Sequence, residues 1–259
     1  LTGLGLRQCH GLEHVDGLRN VRALKTLNLV GCRSLVNVDG LTSCTALTSL
    51  NLRDCTSLRN VDGLAHCLSL TSLNLRRCGA LEQVDGLVEL RELIRVDLKQ
   101  CTSLKNLNGL IHCQSLAELA LQECISLRNV DGISSGALTE LDLTGCVCLE
   151  NIDGLGNCPA LMKLVVSCPR ISHVDGLAEL TALESVDLYH CVSLQNLDGL
   201  AQSASLKELN VEGCVSLKNV DGLTRTKELR KVEMWGCKTL MNVDGLAQCE
   251  FLEVARLEG

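Results

Sequence analysis

Cysteine, histidine and aspartate are the residues of this chain whose chemistry and spacing could build a metal or catalytic site. Seventeen of the 259 residues are cysteine. Thiolate and imidazole are zinc ligands, and a thiol beside a base can be a nucleophile. Close groupings of these residue types include His66-Cys67, His112-Cys113, His190-Cys191 and Cys146-x-Cys148.

The spacing of these groups nevertheless argues against both kinds of site. Zinc sites commonly use the pair C-x-x-C, which is missing, and two adjacent residues rarely reach one metal ion. In an extended segment, neighbours such as His190 and Cys191 point to opposite faces. No phosphate-binding glycine loop or strained nucleophile turn is found. We therefore expect no enzymatic activity, no metal and no cofactor.

The cysteines instead mark a repeat. Eleven of them form one column with spacings of 23 residues, except for two spacings of 22: Cys9, Cys32, Cys55, Cys78, Cys101, Cys124, Cys146, Cys168, Cys191, Cys214 and Cys237. One residue is missing near Ile133 and another between Val166 and Cys168. Such irregular coils either change the local curvature or are neutral deletions.

Each repeat reads L-x-x-L-x-L-x-x-C-x-x-L-x-x-V-D-G-L-x-x-C, as in residues 47–69, and its first leucine is taken as position 1. Apolar positions 4 and 6 alternate with polar positions 3, 5 and 7, which indicates a half-buried strand. Positions 12, 15 and 18 recur every third residue, which is typical of a tight 3₁₀-like turn. Each coil is too short for a full α-helix, and its leucines are buried only when coils stack.

Two further repeat positions, 21 and 16, also have residue types that a structural role would explain. Position 21 holds Cys44, Cys67, Cys113, Cys158 and Cys249, which we expect to face the core. We expect the cysteines to be reduced and buried, with Cys148 the most exposed thiol. Position 16 is aspartate followed by glycine in nearly every coil, which predicts a turn with positive φ at the glycine and backbone N–H groups bound to the carboxylate. A calcium-binding β-roll is the alternative, but it would need further glycines.

The motif L-x-x-L-x-L-x-x-C resembles leucine-rich-repeat proteins of the cysteine-containing class over essentially the whole chain. The resemblance implies an α/β repeat solenoid: an arc with a concave parallel β-sheet and a short, 3₁₀- and turn-rich convex side. We expect residues 1–259 to form a single solenoid of about eleven coils of 22–23 residues plus part of a twelfth, without terminal caps. The coil length is closer to that of the internalin and phosphatase-regulator types.

Positions 3, 5, 7 and 8 should face outward on the concave surface, and they carry the candidate partner-binding residues. The early coils are basic there and the later coils acidic, and two of the three aromatic residues of the chain occupy position 7. The candidates are Arg53, Arg76, Arg77, Arg95, Lys99, Glu118, Glu140, Asp187, Tyr189, Glu212 and Trp235. Exposed aromatic and arginine side chains are typical of binding hot spots.

These features predict a non-enzymatic protein–protein interaction scaffold that binds another protein, alone or within a large assembly. The net charge of −7 argues against nucleic acid, and no apolar run is long enough for a membrane helix. Reduced thiols favour the cytoplasm. The resemblance leaves two alternatives: the substrate-recognition part of an F-box-type ubiquitin ligase, and an internalin-like extracellular recognition module.

Overall fold

The computed structural model describes residues 1–256 and contains twelve three-residue strands, one for each coil. In order, β1 to β12 are Gly3–Gly5, Thr26–Asn28, Ser49–Asn51, Ser72–Asn74, Arg95–Asp97, Glu118–Ala120, Glu140–Asp142, Lys163–Val165, Ser185–Asp187, Glu208–Asn210, Lys231–Glu233 and Val254–Arg256. Each strand covers positions 3 to 5, so the side chain at position 4 points inward and its two neighbours point outward.

The return segments contain short 3₁₀-helices at the Asp-Gly-Leu sequence of position 16. They are Asp16–Leu18, Asp39–Leu41, Asp62–Leu64, Asp85–Leu87, Asn108–Leu110, Asp153–Asn157, Asp175–Leu177, Asp198–Leu200, Asp221–Leu223 and Asp244–Leu246. The predicted architecture, with parallel strands on one side and tight turns on the other, is confirmed. In the described part of the chain, no helix is long and apolar enough to cross a membrane.

The strands form two parallel sheets of six rather than one sheet of twelve. β1 to β6 pair in sequence order, as do β7 to β12, but β6 does not pair with β7. This junction follows the missing residue near Ile133. There the side-chain amide of Gln122 donates to Asp142 at 2.9 Å, and the Glu123 N–H donates to the Thr144 carbonyl at 2.8 Å. The second 22-residue spacing leaves β8 paired with β9.

The core consists of aliphatic and cysteine side chains with one methionine, Met234, and three hydroxyl side chains are buried with it: Ser135, Ser203 and Thr226. It runs continuously from Val15 to Cys249, and most of its leucines are fully buried. Each coil alone exposes its leucines, whereas a stacked coil covers those of its neighbour. The near absence of aromatic residues follows from this stacking, because each layer must fit the same cross-section as the next.

The cysteines of position 9 join successive coils through buried hydrogen bonds. The Cys55 thiol donates to the Leu29 carbonyl of the preceding coil at 3.2 Å, and the Cys32 N–H donates to the same carbonyl at 3.1 Å. This carbonyl lies at position 6, just after the strand, and both of its lone pairs are occupied. The same bond recurs along the column, for example from Cys101 to Leu75 at 3.1 Å.

The cysteines of position 21 form equivalent hydrogen bonds between the return segments of successive coils. The Cys67 thiol donates to the Leu41 carbonyl at 3.5 Å, and that carbonyl also accepts the Cys44 N–H at 2.8 Å. All seventeen thiols are free, and fifteen of them are buried. The expectation that Cys148 is the most exposed thiol is wrong: Cys148 is half-buried, whereas Cys9 is exposed because the structure has no coil stacked beyond the first.

The glycine of position 17 is required for a reason other than the predicted positive φ. Gly63 does not have a positive φ. Its Cα faces the return segment of the preceding coil, and a Cβ there would overlap the carbonyl oxygen of Val38. The glycine therefore permits close approach of two backbones. Positive φ occurs instead at position 8, for example at Asp54 with φ of 61° and Arg77 with φ of 62°.

The predicted hydrogen bonds of the position-16 aspartates are also wrong, because asparagine two residues earlier caps the turn. The Asn60 side-chain oxygen accepts the Asp62 N–H at 3.2 Å, and seven other coils have the same bond. The aspartates form a ladder of exposed carboxylates instead. Partial burial, and then the charges of Asp85 and Asp39, raise the pKa of Asp62.

Replacing Gly63 with valine should destabilise the protein far more than replacing Gly79 with valine. The first change forces a side chain into the Val38 carbonyl, and we expect a loss of roughly 3 kcal/mol or more. A Cβ on Gly79 lies an ordinary 3.5 Å from the Thr102 hydroxyl oxygen, so that change should cost less than about 1 kcal/mol. Equilibrium urea unfolding measures the free energy of unfolding of both variants. Equal losses of stability would disprove the role of Gly63 in the close approach of the two backbones.

The thiols should divide into two classes in the native protein. Burial raises the pKa of both Cys55 and Cys101 to about 12, so almost none of the reactive thiolate form exists near neutral pH. Mass spectrometry after alkylation without reductant should show fast modification of Cys9, slower modification of Cys148 and protection of the fifteen buried cysteines. All should react after denaturation. Disulfides in the native protein would contradict the free, buried thiols at positions 9 and 21.

Replacing Asp62 with asparagine should raise the stability slightly at pH 7, by less than about 0.5 kcal/mol, because it removes one charge from the ladder. The raised pKa of Asp62 means that its unfavourable ionised form accumulates in the folded chain only above that pKa. The gain should therefore appear as pH rises and be absent at about pH 3. Thermal melts at the two pH values test this.

Asp16 provides the matched control for this substitution. It lies at the end of the ladder and forms an ion pair with Arg19 at 3.1 Å, so Asp16→Asn should not stabilise the protein. A lower melting temperature for Asp62→Asn than for the unchanged protein at pH 7 would show that the carboxylate is stabilising after all.

Candidate partner-binding face

The concave face is formed by the side chains at positions 3, 5 and 7, with position 8 along its edge. In β5 these are Arg95, Asp97 and Lys99, while Val96 between them is 2% exposed and belongs to the core. The alternation of the strand therefore determines which side chains reach solvent. All the candidate residues from the sequence lie at these positions, but the structure gives them different local roles.

Position 5 is partly structural. Its asparagine or aspartate accepts the backbone N–H two residues later, as Asn51 does from Arg53 at 3.1 Å. Asp187 accepts the Tyr189 N–H at 3.0 Å in the same way. Of the candidates, Asp187 thus fixes the backbone that carries Tyr189. The regular occurrence of Asn or Asp at position 5 is the sequence signal from which this turn could be predicted.

Position 7 carries the basic part of the face in the early coils. Arg53 pairs with the adjacent Asp54 at 3.2 Å. Arg76 and Lys99 form no ion pair with any residue in the described range 1–256, and the Arg76 Nε is buried without a hydrogen-bond partner. These two cations are therefore available to a negatively charged group of a partner.

Position 8 forms a separate polar ladder at the edge of the sheet. The Arg77 Nε donates to the Gln100 side-chain oxygen at 2.8 Å, and the Gln100 amide donates to Glu123 at 3.0 Å. Arg77 also lies 3.9 Å from Asp54. Arg77 is thus held by neighbours within the chain, unlike Arg76.

The junction between β6 and β7 lies under a depression of the concave face with a volume of about 640 Å³. Four of the sequence candidates line it: Arg95, Lys99, Glu118 and Glu140. Leu119 at its floor is 7% exposed, against 1% for Leu73 at the equivalent position. The depression therefore combines opposite charges around a site where the sheet is interrupted.

The last three candidates lie together in the C-terminal coils, on successive coils at position 7. Tyr189 is 40% exposed and Trp235 is 52% exposed, with Glu212 between them. The Tyr189 ring meets the His190 ring edge-on at a centroid distance of 4.1 Å. From Arg53 to Trp235 there are eight coils, or roughly 40 Å along the sheet. The structure thus places four of the candidates around the depression and three others together in the C-terminal coils.

The histidine–cysteine neighbours do not converge. Cys67, Cys113 and Cys191 are buried, whereas the histidines that precede them are exposed. Among residues 1–256, no group of three or more histidine, cysteine, aspartate or glutamate side chains is arranged to hold a metal ion.

No family model and no curated protein matches this sequence. Solved structures do match. An internalin, InlF, from Listeria monocytogenes is 16% identical, with 97% of this chain and 85% of that chain aligned and a TM-score of 0.38. The leucine-rich-repeat domain of the type III effector XopL is 18% identical over 97% of this chain and 75% of that chain, with a TM-score of 0.50.

InlJ from Listeria monocytogenes, whose functional domain is described as including a cysteine ladder, is 21% identical. The alignment covers 97% of this chain and 57% of that chain, with a TM-score of 0.46. Identities this low identify a fold and not a function. The repeated strands, the 3₁₀ return segments and the cysteine at position 9 agree with that fold. The chain therefore has the fold of leucine-rich-repeat proteins, in its cysteine-containing form.

Proposed function

We propose that this chain is a non-enzymatic scaffold that binds another protein through its concave face. The observation that carries this proposal is the placement of Tyr189 and Trp235, two of only three aromatic residues, half-exposed on that face. Solvent exposure of large rings is unfavourable, and such rings become energetic anchors when a partner covers them. The core has no aromatic residue, so packing does not account for them.

The charges of the face support a partner that is bound in a defined orientation. The unpaired Arg76 and Lys99 lie toward the N-terminal end, and Glu212 lies toward the C-terminal end. A partner with the opposite arrangement gains favourable interactions in one direction only, and charge then sets orientation and association rate more than affinity. The partner is itself a protein, bound transiently or as a component of a large assembly.

The compartment proposed with this function is the cytoplasm. The free thiols support it, since their hydrogen bonds to backbone carbonyls require the reduced form. Oxidising compartments favour disulfides, which would remove these donors. The acidic net charge of −7 supports a protein partner over nucleic acid.

Affinity capture with the intact chain, followed by binding measurements on the captured partner, tests the face. Trp235→Ala should cost about 2 kcal/mol or more of binding free energy, as expected for a buried anchor. Arg76→Glu should mainly lower the association rate and reduce its dependence on salt. Surface plasmon resonance at two salt concentrations separates the two effects.

The matched control is Arg59→Glu, which makes the same charge change on the exposed convex side. It should leave both rate constants unchanged, and thermal melts should show that all three variants fold. Loss of capture by the convex variant with retention by both concave variants would disprove the proposed face.

A further inference from the structure

Tyr189, Glu212 and Trp235 form a three-coil row whose register is fixed by the backbone. The His190 N–H donates to the Glu212 carbonyl, and the Gly213 N–H donates to the Trp235 carbonyl, both at 2.8 Å. Coils are stacked about 4.8 Å apart, so the two aromatic residues stand roughly 10 Å apart at the backbone with the carboxylate between them.

Along the edge of this row, two of the three coils have no side chain at position 8. Position 8 holds Gly213 and Gly236, with φ of 72° and 75°, where side chains are strained. The His190 ring extends over Gly213, since a Cβ on that glycine would lie 2.6 Å from His190 Nδ1. Of the three coils in this row, only the first has a side chain at position 8, the ring of His190, and Glu212 lies between the positions of Tyr189 and Trp235.

Glu212 has no ion-pair partner among the described residues 1–256. The cations of this region are engaged elsewhere: Lys207 with Glu184, Arg230 with Glu253, and Lys231 and Arg256 with Glu233. Within residues 1–256, none of them forms an ion pair with Glu212. Asp187 and Glu208 at neighbouring positions of the face add further negative charge.

A carboxylate between two exposed aromatic rings is a site for an organic cation. Ring faces attract cations, and a carboxylate accepts two parallel hydrogen bonds from a guanidinium group. A planar guanidinium also stacks on aromatic rings, which an ammonium group does not. The surrounding negative charge excludes an anionic group.

We propose that this row is an arginine-recognition site: a partner arginine inserts between Tyr189 and Trp235 and pairs with Glu212. The proposal rests on the proposed protein-binding function of the concave face and specifies the chemistry of one anchor point on the partner. It assigns Trp235 the role of a stacking surface and Glu212 the role of the charge that selects the side chain.

The chain contains a single tryptophan, so its fluorescence reports on this site without a label. The intact protein is titrated to millimolar concentration with the blocked tripeptide acetyl-Gly-Arg-Gly-amide. The control peptide has citrulline in place of arginine, which has nearly the same shape but no charge. The arginine peptide should change the Trp235 emission saturably, and the citrulline and lysine peptides should bind about tenfold and several-fold more weakly, respectively.

The protein variants locate the interaction. Glu212→Gln and Tyr189→Leu should each weaken binding of the arginine peptide by about tenfold. Glu179→Gln removes the same charge from an exposed residue of a return segment, outside the concave face, and it should leave the titration unchanged. Thermal melts of each variant confirm that a lost signal does not reflect unfolding.

Equal binding of the arginine and citrulline peptides, or an unaltered titration for Glu212→Gln, would overturn the proposed arginine site. So would a lysine peptide that binds as tightly as the arginine peptide. These outcomes are distinct from failure of the concave face as a whole. If Arg76→Glu still slows capture of the partner while no arginine peptide binds, the face is correct and the arginine site is wrong.

Discussion

The stacking of this chain depends on the backbone carbonyl just after each strand, which in most coils accepts a hydrogen bond from the cysteine thiol of the next coil. The Leu29 carbonyl is buried and accepts one N–H from its own coil and one thiol from the next. The N–H occupies one of the two lone pairs of this carbonyl, and the thiol supplies a weak donor to the second. Cysteine supplies a donor while its sulfur packs as a small apolar group. The cysteine column is therefore both a packing element and a link between coils.

The same stacking explains where the unusual residues are found. In the return segments, Gly63 lets its coil approach the Val38 carbonyl, and the thiol of Cys67 closes the contact on the same side. The glycine contact recurs from coil to coil, so the core has little room for variation, and the coils differ mainly at the outward positions. Side chains at positions 3 and 7 can therefore differ among coils with little effect on the fold.

The strands, the 3₁₀ turns and the inward direction of both cysteine columns could be predicted from the sequence, because they follow from periodicity within one coil. What could not be predicted depends on contacts between coils. The role of Gly63 was misread because a positive φ and a close approach require the same residue. The role of Asn60 could have been predicted, because asparagine recurs at its position two residues before the aspartate. The break between β6 and β7 could not be inferred, since a second coil of 22 residues keeps its pairing.

For the candidate site, the alternation within each strand predicts which side chains share a face, but it does not predict which of them form hydrogen bonds or ion pairs within the chain. Arg76 and Arg77 are adjacent and chemically identical, yet one is unpaired and the other lies in a ladder with Gln100. This difference arises from the left-handed backbone at position 8, which turns Arg77 toward the edge. Asp187 is likewise indistinguishable from a binding residue in the sequence, whereas the structure shows it holding the Tyr189 backbone.

The interruption between β6 and β7 also has a consequence for how the chain loses its structure. In a linear array, each coil is stabilised mainly by its two neighbours. The cooperativity of unfolding along the array is therefore limited by its weakest interface. At this interface the apolar layer continues but the strand pairing is missing. The free energy that couples the two halves is correspondingly smaller than that within each half. Unfolding is then best described by two cooperative blocks of six coils, and a single midpoint would average two separate equilibria.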